Sequence, residues 1–454
     1  MGQNLVLNLV AKGYGVSVYN IEDLITKKFI KERATGKKVK DTYSYQELVA
    51  SLSQPRKVLL LVKAGEAVDL VIGSLLPYLE EGDIIIDGGN SHYADTDRRY
   101  KELKKRGIQF LGTGVSGGEF GALHGPAIMP GGDRNTYHRV EEILRAIAAR
   151  TAEGPCVAYL GTGSAGHFVK MVHNGIEYAV MQLISEVYDL IRKALRISPD
   201  RISVIFKNWN QLQQSYLLEI THHILAQKDE ETGQALIDLI LDRAQQKGTG
   251  KWSAQEALEL GVPLPTITAA VTARNLSALK QERLVVNSIW GGLREKVLKE
   301  QEVLGLLEDA LYLSILIAYA EGMSLLRTAS ERYNYRLPLE QIALIWQGGC
   351  IIRAAFLQPI YQAYFTEPDL TNLILAAGFK KDFRDKSPRL RKVVMLAKEI
   401  GLFIPALSAA LDYYDGLRSA ELPANLIQAQ RDYFGAHTYQ RKDKKGSYHT
   451  DWPR

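Results

Sequence analysis

The spacing of apolar residues divides the chain into two regions. Up to Ser164, short continuous runs of Val, Leu and Ile alternate with segments whose apolar residues recur every three to four positions. Continuous runs are typical of parallel strands covered on both faces, and the alternation is typical of βαβ units. The pattern predicts strands at Val16–Tyr19, Val58–Val62, Ile84–Asp87, Gln109–Leu111 and Val157–Leu160, with helices that include Glu66–Tyr78 and Thr96–Arg106.

After Ser164 the periodicity is helical almost throughout as far as residue 420, and Gly and Pro fall mainly at breaks. Two apolar segments, Ala310–Arg332 and Ile342–Tyr364, predict long buried helices. The stretch from Leu422 to Arg454 is rich in Gln, Tyr, His and charge, so it is either disordered or docks on another surface. We therefore predict an α/β doubly wound (Rossmann-like) domain at 1–164, a large all-α domain at 165–420 and a C-terminal tail at 421–454.

The beginning of the chain departs from this scheme. A helical pattern runs from Met1 to Gly13, and the strand candidate at Val16 follows directly. A dinucleotide-binding βαβ unit has a strand and a glycine-rich turn before that helix, and Gly2 matches only the last glycine of such a turn. We expect the first strand to be absent, through a mis-assigned start codon or through true truncation. Its loss would leave two neighbouring strands without partners and remove most of the pyrophosphate cradle.

Composition and charge narrow the functional class. A formal net charge of +5 over 454 residues is mild and dispersed, which suits an anionic small molecule and argues against nucleic acid. Cys156 and Cys350 lack the spacing of metal ligands and sit in apolar surroundings, so we expect reduced, buried thiols in a cytoplasmic protein. The most apolar run, Ala310–Ala320, is too short to span a membrane, and the N-terminus lacks a signal peptide.

The most informative stretch begins at Lys170. If it is helical, Lys170, His173, Asn174 and Glu177 fall at i, i+3, i+4 and i+7 and share one face. Lys170 and Glu177 are then roughly 10 Å apart along the axis, a gap that accommodates a small sugar acid with a proton-transferring group at each end. The alternative is an ordinary solvated helix face. The opposite face is apolar and suited to packing, with Val169, Val172, Ile176, Val180, Leu183 and Ile184.

Several long and unusual motifs carry a family resemblance. They are LVKAG at 61–65, GDIIIDGGN at 82–90, GVSGG at 114–118, PGG at 130–132, AGHFVKMVHNGIEY at 165–178, QKGTGKW at 246–252 and the tail at 422–439. With these motifs the chain resembles decarboxylating 6-phosphogluconate dehydrogenase over nearly its whole length, rather than the wider group of 3-hydroxyacid dehydrogenases. The resemblance implies oxidation of 6-phosphogluconate by NADP⁺ to ribulose 5-phosphate, CO₂ and NADPH, the reaction of the pentose phosphate pathway, without a metal.

The resemblance also implies roles for single residues. Lys170 matches the base that takes the C3 hydroxyl proton, which needs a lysine of lowered pKa, and Glu177 matches the acid that protonates the enediol carbon. The groups that hold the sugar acid match Asn90, Ser116, Gly117, Gly118, His173 and Asn174, and the phosphate-end contacts match Tyr178, Lys247 and Arg274. The cofactor contacts match Gly2, Asn20, Val62, Lys63, Ala64 and Asn90.

The tail has a role under the same resemblance. Arg431 and His437 match substrate contacts that, in the family, one subunit supplies to the site of its neighbour. The resemblance therefore implies an obligate homodimer whose tails complete the partner's sites. The alternative is a frayed C-terminus.

One departure from the family pattern concerns the cofactor. Where the NADP-dependent family has an arginine that clamps the adenosine 2′-phosphate, this chain has Ile21, followed by Glu22 and Asp23. Carboxylates disfavour a phosphate dianion, so NAD⁺ remains open as the cofactor beside NADP⁺. Lys27 and Lys28, one turn further on, are candidates to compensate.

Two further departures remove acidic groups, Phe120 in place of a glutamate and Ala179–Val180 in place of Gly-Asp, and we expect altered kinetics rather than loss of chemistry.

Two other functions remain open. The absent strand and the substitutions favour a non-catalytic dimeric binding or scaffold protein, whereas the retained Lys170 and Glu177 favour the enzyme. A third alternative is an enzyme for another 3-hydroxy acid, against which the phosphate-end residues argue.

Overall fold

The computed structural model describes residues 1–246, 248–292 and 299–453. An α/β region precedes a helical region, which begins with a helix at Ala165. The strands are β1 Val16–Val18, β2 Val39–Asp41, β3 Lys57–Leu60, β4 Ile84–Asp87, β5 Gln109–Ser116, β6 Ala127–Gly132, β7 Arg150–Thr151, β8 Gly154–Pro155, β9 Tyr439–Gln440 and β10 Ser447–Tyr448. The helices of the α/β region are α1 Gly2–Ala11, α2 Asp23–Phe29, α3 Tyr45–Ala50, α4 Glu66–Leu75, α5 Tyr93–Lys104, α6 Gly118–His124, α7 Arg134–His138 and α8 Glu141–Ile147.

The helical region follows with thirteen described helices, the last of them in the tail. They are α9 Ala165–Ala194, α10 Pro199–Gln213, α11 Tyr216–Ala226, α12 Leu236–Leu239, α13 Thr249–Leu260, α14 Pro265–Ala278, α15 Lys280–Trp290, α16 Glu300–Arg332, α17 Leu339–Ile345, α18 Leu357–Thr366, α19 Lys380–Glu399, α20 Pro405–Arg418 and α21 Ala424–Gly435. Short 3₁₀ turns lie at Leu76–Tyr78, Leu373–Leu375 and Ala377–Phe379, and a π turn at Ile30–Ala34 extends α2.

The strands of the α/β region form separate sheets. β1 pairs in parallel with β2, whereas β3, β4 and β5 are parallel neighbours in that order. β6 joins the edge of β5 in the antiparallel direction, so the sheet is mixed rather than purely parallel. Within residues 1–246 no strand joins β1 to β3, which is where the sequence predicts a missing first strand.

Four of the five predicted strands form, as β1, β3, β4 and β5. The fifth, Val157–Leu160, is wrong, because Val157 makes only an isolated bridge to Ile128 and Leu160 bonds singly to the Pro130 carbonyl at 2.9 Å. Pro130 has no N–H, so a ladder cannot continue past it. The apolar pattern did not predict β6, because Pro130 and the two glycines after it interrupt the apolar run.

The predicted helix Ile342–Tyr364 is also wrong. α17 ends at Ile345, α18 begins at Leu357, and residues 346–356 form a loop between them. This loop is apolar because it is buried: Trp346 and Cys350 are both inaccessible to solvent. Gly349 turns the chain with φ +65°, and its carbonyl accepts a hydrogen bond from the amide of Ala127 in β6 at 2.9 Å.

The predicted helix Ala310–Arg332 is confirmed as part of α16, which begins earlier, at Glu300. By length and composition, α16 is the one described helix able to cross a membrane. However, 67% of its most apolar window is buried against the rest of the chain, as in a core helix of a globular domain.

Two long helices, α9 and α16, form the centre of the helical region and pack against each other. Each carries a buried glutamate that caps another helix. Glu186 of α9 accepts the first two amides of α20, both at 2.8 Å, and Glu321 of α16 accepts those of α14 at 2.9 and 3.1 Å. A carboxylate at a helix N-terminus satisfies otherwise unpaired amides and complements the helix dipole. These two caps therefore tie α9 to α20 and α16 to α14.

The tail is ordered around one buried carboxylate, Asp432 of α21. It accepts hydrogen bonds from His449, Trp452 and the amides of Thr438 and Thr450, at 2.9–3.1 Å. Burial alone would raise the pKa of Asp432, but these donors outweigh it and lower the pKa to about 2. Within the described residues 421–453, the side-chain hydrogen bonds join tail residues to one another, so the tail is a folded unit of its own.

Candidate active site

The first turns of α9 lie directly on the sheet. A Cβ added to Gly166 would lie 2.2 Å from the Met129 carbonyl oxygen and 2.3 Å from that of Gly112. A Cβ added to Gly114 on β5 would lie 2.4 Å from the Cβ of Lys170. Glycine at these positions therefore allows backbone-to-backbone approach, and it places the stem of Lys170 between the α/β region and the helical region.

The polar face of α9 is confirmed as one continuous set of contacts. Lys170 Nζ lies 2.8 Å from Asn174 Oδ1 and 3.4 Å from His173 Nδ1, and His173 Nδ1 lies 3.8 Å from the carboxylate of Glu177. Lys170 is 6%, His173 0% and Asn174 7% exposed. The alternative of a solvated helix face is therefore wrong, because this stripe is enclosed by the other region of the chain.

Burial sets the protonation of this face. It lowers the pKa of Lys170 from its ordinary value of 10.5, which the Glu177 carboxylate offsets only in part. Burial also raises the pKa of Glu177, against the charges of Lys170 and Arg274. The pKa of His173 lies well below its ordinary value, because of burial and then the charge of Lys170. Opposite shifts favour an uncharged lysine and a protonated carboxyl, which are a base and an acid.

His173 is held in one tautomer by its neighbours. Asn174 Oδ1 lies 3.1 Å from Nδ1 and only accepts, so Nδ1 carries the proton. The hydroxyl of Ser116 then donates to Nε2 at 3.0 Å, and its oxygen accepts the amide of Ile351 at 3.4 Å. A neutral, oriented imidazole therefore connects the Lys170 face to the end of β5 and to the loop 346–356.

The glycines of the predicted carboxylate site lie at the same junction. Gly117 has φ +121° and Gly118 has φ +62°, values that L side chains rarely adopt. A Cβ on Gly117 would lie 2.4 Å from the carbonyl oxygen of Gly349. The structure thus brings Ser116, Gly117 and Gly118 beside His173. Conformation favours glycine at both positions, and at Gly117 space requires it as well.

Tyr178 and Arg274 of the predicted phosphate end lie together. The guanidinium of Arg274 is 3.4 Å from the centroid of the Tyr178 ring, and it bonds to the carbonyl of Gln245 at 3.4 Å. A Cβ on Gly250 would meet the same ring at 2.4 Å, so the start of α13 lies against it. Lys247, the third predicted residue, lies outside the described residues.

The candidate cofactor residues lie in loops of the α/β region. Val62, Lys63 and Ala64 follow β3, and Asn90 follows β4, so they share the carboxyl edge of parallel strands, where open α/β sheets bind ligands. Gly2 begins α1, which has no side-chain cap and no acidic residue in its first turn. These positions fit a dinucleotide, whose pyrophosphate favours a helix N-terminus.

The residues after β1 are the candidates to contact the adenosine end of the cofactor. Asn20 Oδ1 accepts the amide of Glu22 at 2.9 Å, which fixes the turn into α2. Ile21 is 82% exposed and contributes no charge. Asp23 opens α2, whereas Lys27 and Lys28 are exposed in its last turn, so both signs of charge flank this position.

The other two departures from the family pattern lie in different surroundings. Phe120 is exposed on α6, where its ring lies 4.4 Å from that of His124. Ala179 and Val180 are buried in the apolar core. Their side chains pack in the same core cluster as Tyr178.

Arg431 and His437 are not brought to Lys170 within one chain. Both are exposed in the tail, where Arg431 bonds to Gln428 at 3.1 Å and the His437 ring packs on Phe434. Their assignment to a neighbouring subunit's site remains a prediction.

Sequence reasoning missed a connection between the two regions. Tyr93 and Tyr333 both donate to the buried Glu256 of α13, the former at 2.6 Å. Next to Tyr93, the ring of His92 meets Trp252 edge-on at 4.9 Å. These contacts hold the segment that follows Asn90 against α13. The one available signal was the position of Tyr93 three residues after Asn90, because the partners are far apart in sequence.

Comparison with known proteins places this geometry in a family. A model described as the NAD binding domain of 6-phosphogluconate dehydrogenase matches residues 1–161, and one described as the C-terminal domain of 6-phosphogluconate dehydrogenase matches residues 166–452. An NADP(+)-dependent decarboxylating 6-phosphogluconate dehydrogenase from Bacillus subtilis is 53% identical over 100% of this chain and 97% of its own length. An NAD(+)-dependent one from the same organism is 50% identical with the same coverage.

A solved 6-phosphogluconate dehydrogenase from Plasmodium falciparum superposes with a TM-score of 0.96 and 46% identity, over 100% of this chain and 98% of that one. The relationship therefore spans both regions and the tail in sequence and in structure. The chain belongs to the 6-phosphogluconate dehydrogenase family.

Proposed function

We propose that this chain catalyses the oxidative decarboxylation of 6-phosphogluconate to ribulose 5-phosphate and CO₂ with reduction of NADP⁺. The observation that carries the proposal is the buried pair of Lys170 and Glu177, on one helix face, with opposite pKa shifts and with His173 and Asn174 between them. The relatives from B. subtilis are named for this decarboxylating activity, and the P. falciparum structure is described with 6-phosphogluconate as substrate.

A bound nicotinamide supplies the acceptor for the hydride of C3. Lys170, whose pKa is lowered by burial, accepts the proton of the C3 hydroxyl in its uncharged form, while the 2.8 Å contact to Asn174 fixes Nζ. As an ammonium, Lys170 then returns this proton to the carbonyl oxygen while the C1 carboxylate leaves as CO₂. Glu177, whose pKa is raised by burial, delivers a proton to the enediol carbon while Lys170 takes the proton of the enol hydroxyl, which completes ribulose 5-phosphate.

The remaining polar groups orient the substrate in this proposal. The Ser116–Gly118 turn presents backbone N–H groups to the carboxylate, and Tyr178 with Arg274 binds the phosphate at the opposite end. Arg274 is pre-positioned by its contact with the Tyr178 ring, which lowers the entropy lost on binding. The substrate then lies along α9 with C1 to C3 near Lys170.

For the cofactor we propose NADP⁺ with measurable use of NAD⁺. Ile21 cannot pair with a 2′-phosphate, and the exposed Lys27 and Lys28 are the nearest cations on α2. NADP(+)- and NAD(+)-dependent relatives are similarly identical to this chain. Specificity ratios, as kcat/KM for each cofactor, test this assignment directly.

We also propose a cytoplasmic homodimer in which each tail completes the partner's site. The two cysteines are free and buried, in keeping with a reducing compartment. α15 has no buried residue and exposes a row of large apolar side chains, which are Leu284, Val285, Val286, Ile289 and Trp290. α21 also exposes large apolar side chains, which are Leu426, Ile427, Tyr433 and Phe434. Clusters of exposed large apolar side chains are typical of subunit interfaces.

Mixing two inactive variants tests the shared site. Lys170→Met and Arg431→Ala are each expected to be inactive as homodimers. If the tail acts on the partner, a mixed dimer has one site with both an intact Lys170 and an intact Arg431. Random exchange then restores about one quarter of wild-type activity, because half of the dimers are mixed and half of their sites are intact. No restoration, with exchange verified by mass spectrometry, would contradict the shared site.

The reaction itself is tested by the absorbance of reduced nicotinamide with 6-phosphogluconate and either cofactor. Wild-type turnover is expected, and Lys170→Met is expected to lower kcat by about 10²- to 10⁴-fold, the contribution of a general base. Equal rates for wild type and Lys170→Met would overturn the assignment of the base.

A further inference from the structure

Two loops of the α/β region carry candidate cofactor contacts, and we call them the β3 loop (Val62–Gly65) and the β4 loop (Gly88–Ser91). They emerge side by side, because β3 and β4 are parallel neighbours. At their base the Gly88 amide donates to the Leu60 carbonyl at 2.9 Å. Beyond that bond the sheet ladder has ended, so other groups must fix the spacing of the two loops.

The β4 loop is organised by Asp87, the last residue of its strand. Asp87 is 0% exposed, and its carboxylate accepts the amide of Gly89 at 3.0 Å and the hydroxyl of Ser91 at 2.6 Å. Asn90, which lies between these two donors, is exposed. A buried carboxylate therefore clamps the loop on either side of the one residue that projects from it.

Arg99 of α5 connects this clamp to the β3 loop. It is 2% exposed, and its Nη1 donates to Ser91 Oγ at 3.3 Å and lies 3.6 Å from Asp87. Its Nη2 donates to the carbonyl of Gly65 at 2.9 Å. Nε and Nη2 also bind Asp69 of α4 at 2.7 and 2.9 Å, which fixes the guanidinium plane. One planar group thus contacts both loops and the helix that follows the β3 loop.

We propose that Arg99 is a positioning residue that sets the distance between the β3 and β4 loops, and so between Val62–Ala64 and Asn90, for binding of a nicotinamide dinucleotide. This inference rests on the proposed function for the identity of the ligand. A guanidinium donates in several fixed directions from one plane, whereas a lysine ammonium is a compact group that cannot reach Gly65, Ser91 and Asp69 together.

A purely structural role is the competing explanation, because a buried arginine between carboxylates also stabilises the fold. Arg98 provides the matched control. It is the adjacent residue on α5, its Nη2 binds the same Asp69 at 3.0 and 2.9 Å, and its side chain is 44% exposed. Its described contacts include neither loop. Arg98→Lys and Arg99→Lys therefore make the same chemical change beside the same carboxylate.

Hydrogen–deuterium exchange of the full chain without cofactor is the first test. Arg99→Lys is expected to speed exchange in peptides covering both loops by about tenfold, because the bonds of a charged donor to Gly65 and Ser91 are lost. Arg98→Lys is expected to leave both loops unchanged. Ser91→Ala is expected to speed the β4 loop alone. Unchanged exchange in Arg99→Lys, or equal changes in Arg98→Lys, would overturn the proposal.

Cofactor binding, measured by calorimetry with NADP⁺ and with NAD⁺, is the second test. Arg99→Lys is expected to raise Kd by about tenfold while the melting temperature stays near that of Arg98→Lys. If Arg99→Lys bound the cofactor as tightly as the wild type, the positioning role of Arg99 would be refuted but the proposed function would not. If the wild type itself bound neither cofactor, the proposed function would be refuted. The hydrogen–deuterium exchange result would then still decide whether Arg99 holds the two loops together.

Discussion

The contact between Gly114 and Lys170 makes a precise test of the site's geometry. In Gly114→Ala, the new methyl group would lie 2.4 Å from Lys170 Cβ and 2.9 Å from its Cγ. Ordinary carbon–carbon contacts are about 3.5–4.0 Å, so the lysine stem must move by roughly 1 Å. Neither partner yields easily, because β5 is paired on both sides and α9 is held at Gly166 against the carbonyls of Met129 and Gly112.

This displacement of the Lys170 side chain is expected to lower the reaction rate. A misplacement of about 1 Å at a reacting group costs about 10²-fold, which corresponds to about 2.7 kcal/mol in the barrier. Overpacking also destabilises the fold by about 1–3 kcal/mol. Cofactor affinity is expected to stay unchanged, because the candidate cofactor loops lie on β3 and β4 rather than β5.

Steady-state kinetics at saturating 6-phosphogluconate measures the effect, beside a thermal melt that confirms folding. Gly73→Ala is the control: this helical glycine of α4 is exposed, and a Cβ there meets nothing within 4 Å. Its kcat is expected to equal that of the wild type, with slightly higher stability. If folded Gly114→Ala kept kcat within twofold of wild type, the tight placement of Lys170 would be refuted.

Four further predictions follow from single side chains. Lys170→Met is expected to raise the melting temperature at pH 7, because burial in the folded state lowers the pKa of Lys170 and so costs stability wherever the unfolded chain carries the charged lysine. The gain in melting temperature should vanish as the pH rises past the ordinary lysine pKa of 10.5. A gain that is independent of pH would contradict this cost of burial. Glu177→Gln is expected to lower kcat by about 10²- to 10⁴-fold with little change in the dissociation constant of 6-phosphogluconate, measured by calorimetry. Ile21→Arg is expected to raise the preference for NADP⁺ over NAD⁺ by about tenfold in kcat/KM, and an unchanged ratio would place the 2′-phosphate elsewhere. Glu321→Gln is expected to lower the free energy of unfolding by about 1–3 kcal/mol in urea, whereas Glu331→Gln, exposed on the same helix, should have no measurable effect.

Much of the fold could be predicted because its signals are local. The apolar runs at Ile84–Asp87 and the 3.6-residue pattern of α9 and α16 reflect burial of the segments themselves. The loop 346–356 misled the same reasoning, since a buried loop is as apolar as a helix. β6 escaped it because its ladder is made by an Ala-Ile-Met-Pro-Gly-Gly segment that carries no strand pattern.

The candidate active site also has features that could be predicted from the sequence and features that could not. The spacing of Lys170 and Glu177 showed their shared face, and the family motifs supplied their roles, but neither indicated how closely β5 approaches. Arg99 could not be distinguished from other cations of α5, because its partners Gly65 and Ser91 lie 34 and 8 residues away. The caps made by Glu186 and Glu321 join residues 220 and 55 positions apart. Contacts of this kind depend on the completed fold.

The assigned reaction is tested by measuring reduced nicotinamide and CO₂ simultaneously, from 6-phosphogluconate labelled at C1. Equal amounts of both products are expected, with NADP⁺ and more slowly with NAD⁺. Reduction without CO₂ would contradict the assigned substrate chemistry and favour another 3-hydroxy acid. Neither product with either cofactor would contradict the enzyme assignment and favour a binding or scaffold protein that retains this fold.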